Sequence, residues 1–198
     1  MTRYRRVNRM TVKDFLKGTN VYLVGMMGAG KTTVGRLVAK HLGYRFFDTD
    51  KVIEQVTGQS VGEMFSQMGE AGFRQIETQV LAELSAYTRL TIATGGGIVL
   101  KRDNWSYLHH GIVVWLDVPV EQLYARLRHD QTRPLLRSPD PLATLEQLLS
   151  DRQPLYAQAD LRVTLDQLEP PESPDQVATR VLEAIPTVLK PDNSPCLN

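Results

Sequence analysis

Cysteine is almost absent from this sequence, and neither sign of charge is in clear surplus. The 198 residues include one cysteine, Cys196, which excludes an internal disulfide and a cysteine metal cluster within the chain. Low cysteine use suits a reducing compartment, so we expect a cytoplasmic location. The formal net charge at pH 7 is +1, which gives no overall field that would attract nucleic acid or an anionic membrane surface.

Long apolar runs are also missing. No stretch approaches the roughly 20 apolar residues that a membrane-spanning helix needs, so a membrane is not an expected partner. Residues 1–10 are rich in arginine, but serine and an apolar signal segment are absent from the same end of the chain. We expect residues 1–10 and 187–198 to be flexible tails, the second because it is rich in proline.

Short apolar runs alternate with amphipathic segments along the chain. The predicted strands are 21–24, 44–50, 90–94, 111–117 and 161–165, and the predicted helices include 31–42, 51–57, 61–68, 73–86, 119–127, 142–157 and 174–185. This alternation is typical of an α/β protein with a parallel central sheet and helices on both faces, in which ligands collect beyond the carboxyl ends of the strands. We predict one domain over residues 1–198, with its core at about 20–186.

The most specific single motif is Gly-Met-Met-Gly-Ala-Gly-Lys-Thr at residues 25–32. It follows an apolar strand and opens an amphipathic helix, which is the context of a phosphate-binding P-loop and makes a chance glycine-rich turn the weaker alternative. The glycines let backbone N–H groups wrap a phosphate, and the helix amino terminus points at the same anion. Lys31 is expected to reach the β- and γ-phosphates, and the Thr32 hydroxyl is a candidate Mg²⁺ ligand. The predicted ATP contacts of this segment are Gly28, Ala29, Gly30, Lys31, Thr32 and Thr33.

Two aspartates, Asp48 and Asp50, end the second predicted strand. Residues two apart at a strand end point to the same side of the sheet, so one carboxylate is expected beside the metal and the other beside a polar substrate. The alternative is that one of them caps the helix that follows, because aspartate favours that position.

Arg74 and Glu77 are three residues apart on one predicted helix, and Gly95, Gly96 and Gly97 follow the third predicted strand. By itself the charged pair is ordinary surface chemistry, worth little energy. A glycine triplet directly after a buried strand indicates that something approaches the backbone closely. A small hydroxylated acid, held by Asp50, Arg74 and glycine N–H groups, explains these features together.

Arginines crowd the predicted loop 128–141 and its entrance; they are Arg126, Arg128, Arg133 and Arg137. They are either solvated surface charges or part of a mobile lid. We favour a lid, because such a segment brings positive charge onto a transferring phosphoryl group and excludes water. Arg152, on the next predicted helix, is expected to face the same opening.

The motifs in combination resemble those of the shikimate kinases, within the wider group of nucleoside-monophosphate-kinase-like P-loop proteins. The matching segments are 25–32, Phe-Asp-Thr-Asp at 47–50, Gly-Glu-Ala-Gly-Phe-Arg-Gln-Ile-Glu at 69–77, Ala-Thr-Gly-Gly-Gly at 93–97, Arg-Pro-Leu-Leu at 133–136 and Arg-Gln-Pro-Leu-Tyr at 152–156. The resemblance spans about residues 21–185. It implies a P-loop kinase fold with a short mobile lid and transfer of the γ-phosphate of ATP to the 3-hydroxyl of shikimate, in the pathway to chorismate and the aromatic amino acids.

The resemblance also implies roles for single residues. Lys31, Asp50 and Arg133 would be catalytic; shikimate would be held by Asp50, Arg74, Gly95, Gly96, Gly97 and Arg152, with both arginines on its carboxylate. Asp48 would hold Mg²⁺ through water beside Thr32, Arg126 would lie against the adenine, and Glu77 would orient Arg74 from behind. ATP and shikimate are the implied partners, and a monomer is the implied state.

Two departures and two alternatives accompany this interpretation. The stretch before Pro174 is longer than is usual in the family, so no adenine contact is assigned within 164–174, and the basic extension before Thr11 matches no segment of the family pattern. Asp117 ends a strand but is not counted as a metal ligand. One alternative is another small-molecule P-loop kinase, acting on gluconate or a nucleoside monophosphate. The other is a nucleotide-binding module without catalysis. The short lid and the Asp-x-Asp and Phe-Arg pairs disfavour the first, and the intact motif positions disfavour the second.

Overall fold

The computed structural model describes residues 11–128, 140–165 and 172–189. Within these ranges, five parallel strands form one sheet in the order β2-β3-β1-β4-β5. The strands are β1 (Asn20–Val24), β2 (Arg45–Asp48), β3 (Leu90–Ala93), β4 (Gly111–Asp117) and β5 (Leu161–Thr164). The helices are α1 (Val12–Leu16), α2 (Lys31–Leu42), α3 (Thr49–Thr57), α4 (Val61–Ser85), α5 (Arg102–Leu108), α6 (Val120–Leu127), α7 (Pro141–Tyr156) and α8 (Pro174–Val188).

Strand β1 lies at the centre of the sheet, between β3 and β4. All its residues are buried, and Val21 pairs with Thr91 of β3 on one side and Ile112 of β4 on the other. A strand covered on both faces needs apolar side chains at successive positions, which explains the unbroken apolar run of 21–24. The glycine loop therefore leaves the middle of the carboxyl edge of the sheet, between the ends of its two neighbours.

Helices cover this sheet. Helix α2 packs on β1 and β3, α8 packs on α2 and β5, and α5 packs on β4 beside α4. The predicted parallel sheet flanked by helices is confirmed. Within the described part of the chain, no helix combines the length and the apolar character that crossing a membrane requires.

The predicted break after residue 68 is present as a kink at Gly69, where φ is 70° and ψ is −179°, so α4 consists of two helical segments that meet at this residue. The second segment resumes directly after Gly69, three residues before the predicted start at 73. Two other predicted boundaries differ from the structure. Helix α8 passes through Pro186 to Val188, because Val188 packs against the core, so the predicted tail begins two residues too early. The predicted lid ends too late, since Pro141 already belongs to α7, and its residues 129–139 lie outside the described residues.

Candidate active site

The loop between β1 and α2 is shaped by glycines that no other residue can replace without strain. Gly25 has a φ of 137°, and a Cβ built on it would lie 2.6 Å from the carbonyl oxygen of Leu116 in β4. Gly28 has a φ of 76°, and its Cβ would lie 2.9 Å from Leu127 Cγ. Both contacts press the loop against neighbouring elements, which sets the loop backbone where it can wrap an anion.

Lys31 is the first residue of α2 and is 9% exposed. Its Nζ donates hydrogen bonds of 2.8 Å to the carbonyl oxygens of Gly25 and Met26. The ammonium group is thereby held over the loop. A charge fixed in advance at the phosphate position costs little reorganisation when a nucleotide binds.

Asp48 ends β2 and caps α3. Its Oδ1 accepts hydrogen bonds from the backbone N–H groups of Asp50, at 3.1 Å, and Lys51, at 3.4 Å, and its Oδ2 accepts one from Thr32 Oγ1 at 2.6 Å. The prediction that both aspartates end the strand is wrong, because capping starts the helix at Thr49 and moves Asp50 into its first turn. Asp48 thus caps α3 and also lies beside the loop threonine.

The Thr32 and Asp48 pair suits a magnesium ion in its donor chemistry. A hydroxyl and a carboxylate oxygen meet beside the glycine loop. Mg²⁺ prefers oxygen ligands and is usually held by one or two carboxylates together with substrate phosphates and water, rather than by a cage of protein ligands. Among the described residues, no group of three or more histidine, cysteine, aspartate or glutamate side chains is arranged to hold a metal ion.

The glycine turn 95–97 follows β3 and meets two carboxylates. A Cβ on Gly95 would lie 2.6 Å from Glu77 Oε1 and 2.8 Å from Asp50 Oδ1. The Gly95 N–H itself donates to Thr49 Oγ1 at 2.9 Å. Helices α3 and α4 each bring a carboxylate against this backbone, and a side chain at residue 95 would have to displace one of them. The glycine therefore leaves room for Asp50 and Glu77 to meet.

Arg74 lies against the same turn. Its Nη1 donates to Glu77 Oε2 at 2.7 Å, its Nη2 donates to Glu70 Oε1 at 3.0 Å, and a Cβ on Gly97 would overlap its guanidinium. The guanidinium also lies 5.5 Å from the centre of the Phe73 ring, a cation–π distance. These contacts fix the orientation of Arg74, and the predicted pairing with Glu77 is present.

Glu77 is fully buried, at 0% exposure. Burial raises the pKa of its carboxyl group, and Arg74 offsets only part of this effect. Its Oε1, the atom that faces Gly95, has no hydrogen-bond partner among the described residues. The Glu77 carboxylate therefore binds the Arg74 guanidinium through one oxygen and fixes its orientation from the buried side.

Arg152, on α7, completes the arrangement around the turn. It is 6% exposed, and its Nη1 donates to the Gly96 carbonyl oxygen at 3.4 Å. A Cβ on Gly96 would lie 3.5 Å from both the Gly25 carbonyl oxygen and the Met27 nitrogen, so the turn touches the phosphate-binding loop. The structure therefore joins the two predicted sites, one for nucleotide and one for acid.

Arg126 lies on α6 beside the loop, with its Nη1 donating to the Gly28 carbonyl oxygen at 3.0 Å. Arg128 is the residue that ends this helix. The other predicted lid arginines, Arg133 and Arg137, lie outside the described residues. Their assigned roles stay predictions.

One residue at the site has no role in the sequence-based prediction. Tyr156 is fully buried, and its hydroxyl donates to the Gly96 carbonyl oxygen at 2.7 Å. It follows Arg152 by four residues, so the helical repeat puts both side chains on one face of α7. That spacing is the signal that would have found it.

Taken together, the glycine loop with its lysine, the threonine–carboxylate pair and the arginines at the adjoining glycine turn are the features of a small-molecule kinase of the P-loop class. The family model described as Shikimate kinase matches residues 27–186. A shikimate kinase from Nostoc sp. is 60% identical over 90% of this chain and 97% of its own length, and one from Thermosynechococcus vestitus is 54% identical over 94% and 100%. The chain belongs to the shikimate kinase family.

Solved structures agree with this assignment. A shikimate kinase from Acinetobacter baumannii, determined in complex with shikimate, superposes with a TM-score of 0.83 at 42% identity, covering 89% of this chain and 97% of that one. A gluconokinase from Sinorhizobium meliloti superposes with a TM-score of 0.52 at 15% identity, covering 87% of this chain and 94% of that one. The second likeness shows a shared fold alone, so it gives no support to the gluconate alternative.

Proposed function

We propose that this chain transfers the γ-phosphate of ATP to the 3-hydroxyl of shikimate and releases shikimate 3-phosphate and ADP. The observation that carries the proposal is the contact of the turn 95–97 with the phosphate loop on one side and with two arginines on the other. Such an arrangement puts a carboxylate-binding site next to a phosphate-binding loop. Family membership supports the same substrate.

The acceptor carboxylate is assigned to Arg74 and Arg152. Arg74 lies against Gly97 and Arg152 against Gly96, so two guanidinium groups flank one turn of the backbone. Arginine binds a carboxylate through paired, charge-assisted hydrogen bonds, which favours an acid of fixed orientation. Glu77 keeps Arg74 in place, because it binds Nη1 from the buried side.

Asp50 is assigned to the hydroxyl groups of the acceptor. Its Oδ1 lies beside Gly95, near the buried Glu77 carboxylate and close to the turn that carries the arginine contacts. In that position it accepts hydrogen bonds from hydroxyls and orients, or deprotonates, the one that attacks. Orientation matters most, since phosphoryl transfer is catalysed mainly by positioning and by charge.

The nucleotide phosphates are assigned to the glycine loop, Lys31 and the hydroxyls of Thr32 and Thr33. Lys31 supplies positive charge at the transferring group from its position over the loop. Arg126, whose Nη1 donates to the Gly28 carbonyl oxygen, is assigned to the adenine, as the family resemblance implies. Arg133 is assigned to the phosphoryl group on the evidence of sequence alone.

Magnesium is the proposed cofactor, with Thr32 as a ligand and Asp48 holding the ion through water. When bound, the ion would neutralise charge on the nucleotide phosphates. The chain's own contribution is to keep the hydroxyl and the carboxylate together at the loop, which the hydrogen bond of 2.6 Å already does. A monomeric state and a cytoplasmic location complete the proposal, and size-exclusion chromatography tests the first.

A coupled assay for ADP release with Mg²⁺ and ATP tests this proposal. We expect release that depends on shikimate and that is lost in Lys31→Ala. Gluconate and nucleoside monophosphates are tested in parallel. Release with one of these and not with shikimate would contradict the substrate, and ATP binding without turnover on any of them would favour a binding module.

A further inference from the structure

The hydroxyl of Tyr156 and the guanidinium of Arg152 share one acceptor. The hydroxyl donates to the Gly96 carbonyl oxygen at 2.7 Å, and Arg152 Nη1 donates to the same oxygen at 3.4 Å. The tyrosine bond has good length, whereas the arginine bond is long. The carbonyl is therefore satisfied mainly by Tyr156, and the arginine is only lightly engaged by it.

A side chain of the central sheet fixes the position of the Tyr156 ring. It stacks on Trp115 of β4, with ring centres 5.8 Å apart and an interplanar angle of 25°. The guanidinium of Arg162 lies 4.6 Å from the centre of the Trp115 ring and is fixed by Asp117 at 2.6 Å. Strands β4 and β5 thus set the position of the tyrosine hydroxyl.

Gly96 links the Tyr156 side chain to both proposed substrate sites. A Cβ at this residue would lie 3.5 Å from the Gly25 carbonyl oxygen in the phosphate loop and 3.7 Å from Arg152 Nη1. The Tyr156 hydroxyl also lies 3.7 Å from the sulfur of Met26, in the loop. A shift of this one peptide would move the acid site relative to the phosphate site.

We propose that Tyr156 is a positioning residue, whose hydroxyl fixes the Gly96 carbonyl and so leaves the Arg152 guanidinium available to the carboxylate of the acceptor. The inference rests on the proposed function, in which Gly96 and Arg152 bind shikimate. Without the hydroxyl, Arg152 is the neighbouring donor that would compensate, because a buried carbonyl without a partner is costly. The guanidinium would then turn toward the protein and away from the substrate.

The tyrosine can donate this bond under any ordinary assay condition. Burial raises the pKa of Tyr156 to about 12, so the hydroxyl keeps its proton. Arg152 lies close to the hydroxyl but offsets only part of that effect. A pH change between 6 and 9, roughly the range of kinase assays, should therefore not mimic loss of the hydroxyl.

Steady-state kinetics of Tyr156→Phe test the proposal. Phenylalanine keeps the ring and its stacking, so we expect a folded protein whose KM for shikimate rises about 5- to 10-fold, the scale of one hydrogen bond, while the KM for ATP changes less than about 2-fold. The control is Tyr22→Phe, because Tyr22 is equally buried, at 0% exposure, but its ring lies beside Gly111 at the start of β4. It should change neither KM.

Thermal melting and a rescue variant separate positioning from mere support. A purely structural role would lower the melting temperature of Tyr156→Phe and leave the shikimate KM unchanged, which would overturn the proposal. Replacing Tyr156 with 4-aminophenylalanine keeps the ring and restores an N–H donor. It should bring the shikimate KM back toward the wild-type value, and a KM equal to that of Tyr156→Phe would also overturn the proposal.

Arg152→Gln distinguishes this inference from the proposed function. If Arg152→Gln leaves the shikimate KM unchanged, the assigned acid site itself is wrong. If Arg152→Gln raises it and Tyr156→Phe does not, the acid site stands and only the positioning role of Tyr156 is overturned. In the double variant, the two effects should be less than additive, since one residue acts through the other.

Discussion

Thr32 Oγ1 and Asp48 Oδ2 are joined by a hydrogen bond of 2.6 Å, which links the first turn of α2 to the cap of α3. The other oxygen of the same carboxylate accepts hydrogen bonds from the backbone N–H groups of Asp50 and Lys51. One side chain therefore ties the phosphate loop to the helix that carries the acceptor-side aspartate.

Asp48→Asn should separate the metal role of this side chain from its capping role. Asparagine caps helices about as well as aspartate, so the melting temperature should change little. A neutral amide is a poorer Mg²⁺ partner, so the Mg²⁺ concentration for half-maximal activity should rise several-fold. Asp48→Ala, as the companion variant, should lose both. An unchanged Mg²⁺ requirement in Asp48→Asn would contradict the metal assignment.

Lys31→Ala should lower kcat by about 100-fold or more, the scale for losing one prearranged charge contact at the reacting group. Its Nζ is held over the loop by the Gly25 and Met26 carbonyl oxygens. Lys40→Ala is the matched control, because Lys40 is exposed on the last turn of the same helix. Near-normal turnover of Lys31→Ala in the ADP-release assay would remove its catalytic role.

Arg74→Ala should mainly raise the KM for shikimate, by about 10- to 100-fold, because hydrogen bonds to a charged group are lost. The ATP KM should change much less, since Arg74 contacts the acid side of the turn 95–97. Arg102→Ala, at an exposed position on α5, serves as the control. A shikimate KM like that of wild type would exclude Arg74 as the carboxylate partner.

Gly95→Ala should lower kcat/KM for shikimate by about 10-fold or more, because a misplacement of about 1 Å at a reacting centre has effects of at least that order. The added methyl group would lie 2.6 Å from Glu77 Oε1 and 2.8 Å from Asp50 Oδ1. Gly62→Ala is the control, since a Cβ built on Gly62 would have nothing within 4 Å. Equal kcat/KM values of the two variants for shikimate would mean that the close contact of Gly95 with the two carboxylates is not needed for activity.

Glu77→Gln should change how the free energy of unfolding depends on pH. The pKa of Glu77 is raised above its ordinary 4.5 by burial, with Arg74 and Arg152 lowering it and Asp50 raising it. The folded protein therefore binds this proton more tightly than the unfolded chain. The stabilising contribution is full below pH 4.5 and is lost as the pH rises through the raised value. In urea unfolding, the free energy of unfolding of the wild type should fall relative to that of Glu77→Gln as the pH rises above 4.5. A rise of this difference with pH would contradict a raised pKa of Glu77.

Elements defined by neighbouring residues are predictable. The P-loop and the apolar run of β1 are each complete within a few consecutive positions, and both are present. Their conformations follow from backbone freedom and burial, which act over short stretches of chain. The pairing of Arg74 with Glu77 is predictable for the same reason, since a helix brings residues three apart together.

At Asp48 and Asp50, the alternation of a strand and the capping of a helix predict different conformations. Strand alternation predicts that Asp48 and Asp50 point to the same side, but capping by Asp48 ends the strand earlier and puts Asp50 on a helix. Both rules can be applied to the sequence, but their relative strength cannot be read from it. The balance depends on Thr32, sixteen residues away, which binds the capping carboxylate.

The class of fold, the phosphate loop and the charged residues of the predicted site can be derived from the sequence, because these are properties of short segments. Which of these residues come together depends on the tertiary structure. Tyr156 and Gly96 are 60 residues apart, and the acids that surround Gly95 come from two other helices. These contacts arise because β1, β3 and β4 end at one edge of a parallel sheet and side chains of α7 reach the turn that follows β3. Residues so far apart in the sequence form no local pattern.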